Sequence, residues 1–361
     1  MMKNNTFLSL QGLRGLAALS VMLFHFRYLI NSQTPGLGDY LFGWGSIGVD
    51  AFFIISGFVI TLSANKLGTG NNACRNFLIS RMWRIMPVYF ILLLVTFIFS
   101  GGMSTFHYPD KVNNLISALT FSPIYTDRAP FYVNDSGVYG IRWTLNYEMY
   151  FYLITAACLV FPKPKTLLVI YFTLALIIIP VSTGKALSIS ENGYQFDNPF
   201  LNLMTNPVSW MFISGVLLAA ALPLMNKLNT TIKGTYLACA TAYATFSIFL
   251  QGNTGHGLSS VGLPLILFVA GIIMNETWLS KITPRWLLFF GDISFSLYLI
   301  HTLMNTGLGR RLDWTGATEG ISGFILFSIC SIILATISYR FIEKPVMRYK
   351  KRSLTNESVI A

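Results

Sequence analysis

Apolar runs of membrane-spanning length recur along the chain, separated by short clusters of polar, Gly and Pro residues. The pattern predicts helices near 10–30, 41–63, 85–101, 143–161, 166–182, 206–223, 234–250, 258–275, 287–306 and 321–341. About 20 apolar residues rising ~1.5 Å each cover the roughly 30 Å of bilayer hydrocarbon. The expected fold is therefore all-α and polytopic, a single bundle of about ten transmembrane helices. The longest gap, 102–142, contains "VNNLISALTF", which reads as a short interfacial helix between turn residues.

Composition agrees with this picture, at 53% hydrophobic and 11% charged over 361 residues. The net charge of +11 raises a nucleic-acid partner as an option, but its distribution argues against one. With a cytoplasmic N-terminus, 17 of the 25 Lys and Arg fall on inside segments and 7 outside, leaving Arg14 within the first helix. That asymmetry follows the positive-inside rule, so both termini are expected in the cytoplasm and no nucleic acid is expected. The bundle is expected to occupy 1–345, followed by a basic and polar tail at 346–361. Three of the four cysteines lie inside apolar runs, without disulfide or zinc spacing, and no metal site is expected.

A charge in hydrocarbon costs at least about 2.5 kcal/mol, so each ionisable residue in these runs needs a partner or a role. "LQGLRGLAALSVMLFHF" carries Arg14 and His25 eleven residues apart, on nearly one helical face and ~16 Å apart along the axis. Asp50, in "GSIGVDAFFIISGFVIT", and Glu148, in "RWTLNYEMYFYL", fall by depth near His25 in the outer half. A histidine beside a carboxylate suits general-base catalysis. The plainer alternative is that the carboxylates only neutralise Arg14, Arg142 or each other and hold helices in register. His301 shares a face with Ser294 and Tyr298 and reads as a satisfied interhelical histidine. On the cytoplasmic side, "CRNFLISRMWRIMPVYF" sets Arg81 and Arg84 at i, i+3, where two guanidinium forks suit phosphate, with Arg75 preceding them. Topological anchoring alone also explains these arginines.

Taken together, "LQGLRGLAALSVMLFHF", "GSIGVDAFFIISGFVIT", "FLISRMWRIMPVYF", "WTLNYEMYFYL", "GDISFSLYLIH" and "SYRFIEKP" resemble acyltransferase family 3, the integral membrane O-acyltransferases that include O-antigen acetylases. They occur in the family's order and cover nearly the whole chain. The resemblance implies transfer of an acyl group, commonly acetyl from cytoplasmic acetyl-CoA, to a hydroxyl of a cell-surface glycan or its lipid-linked precursor. The family's arginine and histidine of helix one fall on Arg14 and His25, its R-x-x-R pair on Arg81 and Arg84, and its helix-four acid on Glu148. Here "NYEMYFY" lacks the second acid that often precedes that glutamate. The soluble SGNH-type domain that many members append is not expected, leaving the bundle to act alone or with a separate periplasmic partner.

The resulting expectation is an enzyme of a bacterial cytoplasmic membrane with acyl-CoA as substrate and no permanently bound cofactor. Arg81, Arg84 and Arg75 would hold the donor phosphates, and Arg14 would guard the donor path. His25 would deprotonate the acceptor, oriented by Glu148 or Asp50, while Trp143, Tyr147, Tyr150 and Tyr152 would offer stacking surfaces to sugar rings. A covalent relay through His25, Ser56 or Ser294 is the mechanistic competitor. A flippase of lipid-linked sugars, or an acyltransferase acting on a small secondary metabolite, are the functional ones.

Overall fold

The computed structural model describes residues 7–99, 102–133, 140–306 and 318–348. Arg310, Arg311 and the expected tail beyond Arg348 lie outside the described residues. Among those residues the chain is helical, with no strand. The main helices are α1 (Leu8–Gln33), α2 (Gly48–Asn65), α3 (Asn71–Phe99), α4 (Trp143–Leu159), α5 (Pro164–Ser182), α6 (Trp210–Asn226), α7 (Thr230–Thr245), α8 (Gly262–Met274), α9 (Glu276–Ile282), α10 (Arg285–Thr306) and α11 (Gly320–Ser338).

Among the described residues, seven helices are long and apolar enough to cross a membrane, or eight if the bent pair α8 and α9 counts as one span. The expectation was ten. The remaining two runs are helical but fall short. Helix α4 has only 17 residues, and α7 opens on the polar stretch "TTIKGT" before passing into a π-turn at Phe246–Leu250. The bend between α8 and α9 measures 86°. Asn275 staples it, its amide donating to the carbonyls of Lys233 (2.8 Å) and Gly271 (2.9 Å) and accepting from the Trp278 indole (2.9 Å).

Helix α1 is the central post of the bundle, packed against α2, α10 and α11. Its first turn has no side-chain cap of its own. The buried Glu276 of α9 supplies one, accepting from Leu8 N (2.7 Å), Ser9 N (3.5 Å) and the Ser9 hydroxyl. At the other end, Asp39 accepts from Arg27 (2.7 Å) and Asn31 (2.7 Å), clamping the short helix Leu37–Phe42 onto α1. A 3₁₀ turn at Gly43–Ile47 then leads into α2, so Asp50 sits in the first turn of that helix rather than deep within one.

Small residues let these helices touch backbone to backbone, as apolar bundles in lipid require. A Cβ on Gly15 would stand 2.6 Å from the amide nitrogen of Gly291 on α10. On α2, a Cβ at Gly57 would stand 2.0 Å from the Phe212 carbonyl, and one at Gly215 on α6 would meet the Ile54 carbonyl at the same distance. Gly57→Ala is therefore expected to cost stability at the upper end of the ~1–3 kcal/mol range for overpacking. Gly234→Ala, where nothing lies within 4 Å, should leave thermal unfolding in detergent unchanged or slightly raised.

Candidate active site

Five helices line a partly open pocket with about 550 Å³ of empty space, open solvent included. Helix α1 contributes Arg14, α2 Val49, Phe52, Phe53 and Ser56, and α3 Arg84 and Ile85; Thr144, Leu145 and Glu148 come from α4, and Ser294, Phe295 and Tyr298 from α10. The α2 residues recur at i, i+3, i+4 and i+7, so one face of that helix forms a wall. A second cavity of about 250 Å³ adjoins it, lined by Ile55, Val59, Ile60, Arg81 and Tyr152 together with Arg14, Ser56, Arg84 and Glu148. Those last four residues line both adjoining spaces, which together are called the chamber.

The chamber concentrates charge. Arg14 is in electrostatic contact with Arg84, Glu148, Glu343 and Tyr152. Glu148 accepts a hydrogen bond from the Tyr152 hydroxyl, and the Arg81 guanidinium lies 5.8 Å from the Tyr152 ring centroid and 5.4 Å from that of Phe77. Arg81 is only 7% exposed, and its Nε has no hydrogen-bond partner. Glu343, from a π-turn at Tyr339–Glu343 that extends α11, accepts from Ser296 at 3.0 Å. Three guanidiniums line the chamber against one carboxylate, Glu148, while Glu343 and Asp292 act on Arg14 from outside that lining, so donors predominate at the chamber wall. Pro87 follows within α3, where it has no N–H to donate.

The sequence-predicted residues divide cleanly. Arg14, Arg81, Arg84 and Glu148 converge on the chamber, whereas Arg75 lies exposed at the start of α3. Glu148 is paired with Tyr152, and Arg142, its anticipated partner, is fully buried and donates to Ser117 at 2.8 Å. Ser56 faces both spaces, while the Ser294 hydroxyl bonds back to the Gly291 carbonyl at 2.8 Å. The four aromatics are packed into protein. Trp143 contacts Phe53 and Phe131, and the Tyr147 hydroxyl donates to the Pro130 carbonyl at 3.0 Å. Tyr150 bonds Tyr171 at 3.1 Å, and Tyr152 reaches the chamber through its hydroxyl.

Asp50 and His25 separate. Both oxygens of the wholly buried Asp50 are taken by the loop before α8, one by His256 Nδ1 at 2.7 Å and the other by the Gly257 amide at 2.8 Å. The carboxylate anticipated beside His25 thus serves a second histidine. His256 was not singled out from the sequence, although a histidine between glycines in "TGHGLSS" offered a weak turn signal, and Gly257 adopts φ +75°. The His256 amide donates to Glu191 at 2.7 Å, and its ring lies 5.6 Å from that of Trp143. His25 is partly exposed, with its ring centroid 5.0 Å from that of the fully buried His301.

Burial alone would pull the His256 imidazole down, but the Asp50 carboxylate, its hydrogen bond and nearby Glu191 outweigh it and hold His256 above its ordinary value of 6.5. The contribution of this pair to stability is then fully present below pH 6.5 and is lost as pH rises through the raised value. The thermal midpoint of the wild type should fall across that window. The pH-dependent step should be absent in His256→Asn and in Asp50→Asn; a step retained in both variants would assign it elsewhere.

Residues 7–340 match the family described as "Acyltransferase domain", acyltransferase family 3. The chain is 27% identical to the exopolysaccharide production protein ExoZ of Rhizobium meliloti, over 84% of this chain and 90% of that protein. It is 28% identical to the peptidoglycan O-acetyltransferase OatA of Listeria monocytogenes, over 94% of this chain but only 56% of the relative. Nodulation protein 10 of Rhizobium leguminosarum is 25% identical, over 94% of this chain and 92% of that protein. No solved structure matches.

Proposed function

From the premise that this chain belongs to acyltransferase family 3 and is an acyltransferase, we propose that it moves an acyl group, acetyl foremost, from cytoplasmic acyl-CoA to a hydroxyl of a cell-surface glycan or its lipid-linked precursor. The observation that carries this reading is the chamber whose lining holds Arg14, Arg81 and Arg84 with a single carboxylate, Glu148. A positive, donor-rich site inside a membrane bundle suits the anionic phosphates and the thioester carbonyl of an acyl-CoA. The exposed Arg75 lies at the cytoplasmic mouth in this scheme and assists capture of the donor. The acetyl group and the glycan acceptor draw support from the relatives, one named a peptidoglycan O-acetyltransferase and another an exopolysaccharide production protein.

In the proposed reaction, His25 takes the proton of the acceptor hydroxyl as its oxygen bonds the thioester carbon. The C–S bond breaks, and the thiolate leaves and is protonated to CoA thiol. Glu148, braced by Tyr152, keeps Arg14 and Arg84 facing the chamber so that they offset charge developing on the carbonyl oxygen. Asp50 acts at a distance, through the His256 latch that fixes the start of α2. Trp143, Tyr147, Tyr150 and Tyr152 shape the α4 wall along which the acceptor approaches.

Purified protein in nanodiscs should release CoA thiol from acetyl-CoA. His25→Ala should lower kcat by roughly 10²- to 10⁴-fold. Arg84→Ala should chiefly raise the KM for acetyl-CoA, by roughly ten- to a hundredfold for the loss of a charged hydrogen bond of about 1.5–3 kcal/mol. Failure of the wild type to bind acyl-CoA would remove the donor and favour movement of a lipid-linked sugar instead.

A further inference from the structure

The two carboxylates expected near His25 are bonded elsewhere, Asp50 to His256 and Glu148 to Tyr152. A different group stands beside His25. His301, on α10, is 0% exposed, and its ring centroid lies 5.0 Å from that of His25 with 41° between the planes. Its Nδ1 is 3.0 Å from the Leu297 carbonyl one turn back. A carbonyl only accepts, so Nδ1 carries the hydrogen, and in the neutral ring Nε2 is left as the acceptor. That Nε2 is buried with no hydrogen-bond partner. An unmet acceptor in the interior of a bundle costs about 1–3 kcal/mol and calls for a reason.

We propose that His301 is the positioning partner of His25, forming a buried imidazole pair in which His301 Nε2 shares the proton that His25 removes from the acceptor hydroxyl. This rests on the acyl-transfer reading above. The partly exposed His25 can meet an acceptor, and the wholly buried His301 cannot, so their roles follow from burial. One ring nitrogen of His25 takes the hydroxyl proton while the oxygen bonds the acyl carbon. The other gives its hydrogen to His301 Nε2, spreading one positive charge over two rings. The pair reverses this transfer after the C–S bond breaks, and the proton ends on the thiolate sulfur, giving CoA thiol and the ester.

The surroundings suit such a pair. Phe24 and Phe26 pack edge-on against His25 and His301, and Phe327 of α11 stands behind Phe26. Among the described residues, the titratable and charged groups that face the pair are Arg27, on α1, and Tyr298, on α10. The Tyr298 hydroxyl is held by Thr144 at 2.8 Å, and its ring packs against Phe52 of α2. Tyr298 also lines the chamber, so the pair sits one side chain from the proposed donor site.

The test combines nitrogen NMR of the imidazoles with kinetics, on the full chain in nanodiscs. There are four histidines, His25, His107, His256 and His301, so assignment by substitution is practical. The wild type should show His301 with its hydrogen on Nδ1, and His25 and His301 titrating as a coupled pair. His301→Asn keeps an amide able to donate to Leu297 but removes the Nε2 acceptor. It should uncouple the His25 titration, move the acid limb of the kcat profile, and lower kcat about tenfold or more with the acetyl-CoA KM unchanged, thiol release being read with water as acceptor. His301→Gln, which restores a polar atom near the Nε2 position, should recover part of the loss. Independent titration of the two rings in the wild type would overturn the proposal whether or not either variant folds. So would an active wild type whose His301→Asn and His301→Gln forms both keep kcat and its pH profile. A wild type that binds acetyl-CoA but releases no thiol, yet shows coupled rings, would instead contradict the acyl-transfer reading and leave the pairing supported.

Discussion

Charge placed in hydrocarbon has to be answered within the protein, and three buried or half-buried arginines set that demand here. Arg14, Arg81 and Arg84 come from two helices, α1 and α3, and Glu148 and Glu343 from two others. None of the four can satisfy its ionisable groups alone. Assembly of the bundle and construction of the chamber are therefore one event. The chamber lining stays uneven in charge: three guanidiniums face one carboxylate, Glu148, with Glu343 and Asp292 acting from outside it, and the Arg81 Nε has no hydrogen-bond partner. That shortfall is what makes the centre a place for an anionic ligand rather than a neutral joint.

The rest of the bundle holds that centre in position. Gly15 against Gly291, and Gly57 against Gly215, bring α1 to α10 and α2 to α6 at backbone contact, which fixes where Arg14 and Ser56 can point. Glu276 caps the start of α1 two turns before Arg14, and the Asp50–His256 pair fastens the start of α2 among the residues that line the chamber. The strongest polar contacts thus lie at the ends of the helices that carry the site, where backbone groups lack helical partners.

What could be read from the sequence was what periodicity and local order encode. Arg14, Arg81, Arg84 and Glu148 were legible because each breaks an apolar run, and the structure gathers all four. The family was legible because six motifs stand in order, although each is weak alone. Span counting was less secure: 17 residues in α4, the polar opening of α7 and the 86° bend at Asn275 all blur a window that looks only for length and hydropathy. Pairings were the least legible. The partner of Asp50 is 206 residues away in a loop with no periodic signal. Hydropathy likewise cannot separate an aromatic ring that faces a cavity from one that faces another helix, as Trp143 and Tyr147 do. The unmet nitrogen of His301 becomes visible only once both its neighbours and their hydrogen bonds are known.

The central claim is that the chamber itself receives the acyl donor, and occupancy tests it more directly than turnover. Ser56 lines both of its spaces and makes a suitable reporter. The alkylation rate at position 56 would be followed by mass spectrometry in Ser56→Cys protein in nanodiscs, with and without acetyl-CoA. The account predicts saturable protection by acetyl-CoA that is lost when Arg84→Ala is added. Unchanged alkylation at saturating acetyl-CoA, in protein that still binds the donor, would place the donor elsewhere and contradict it.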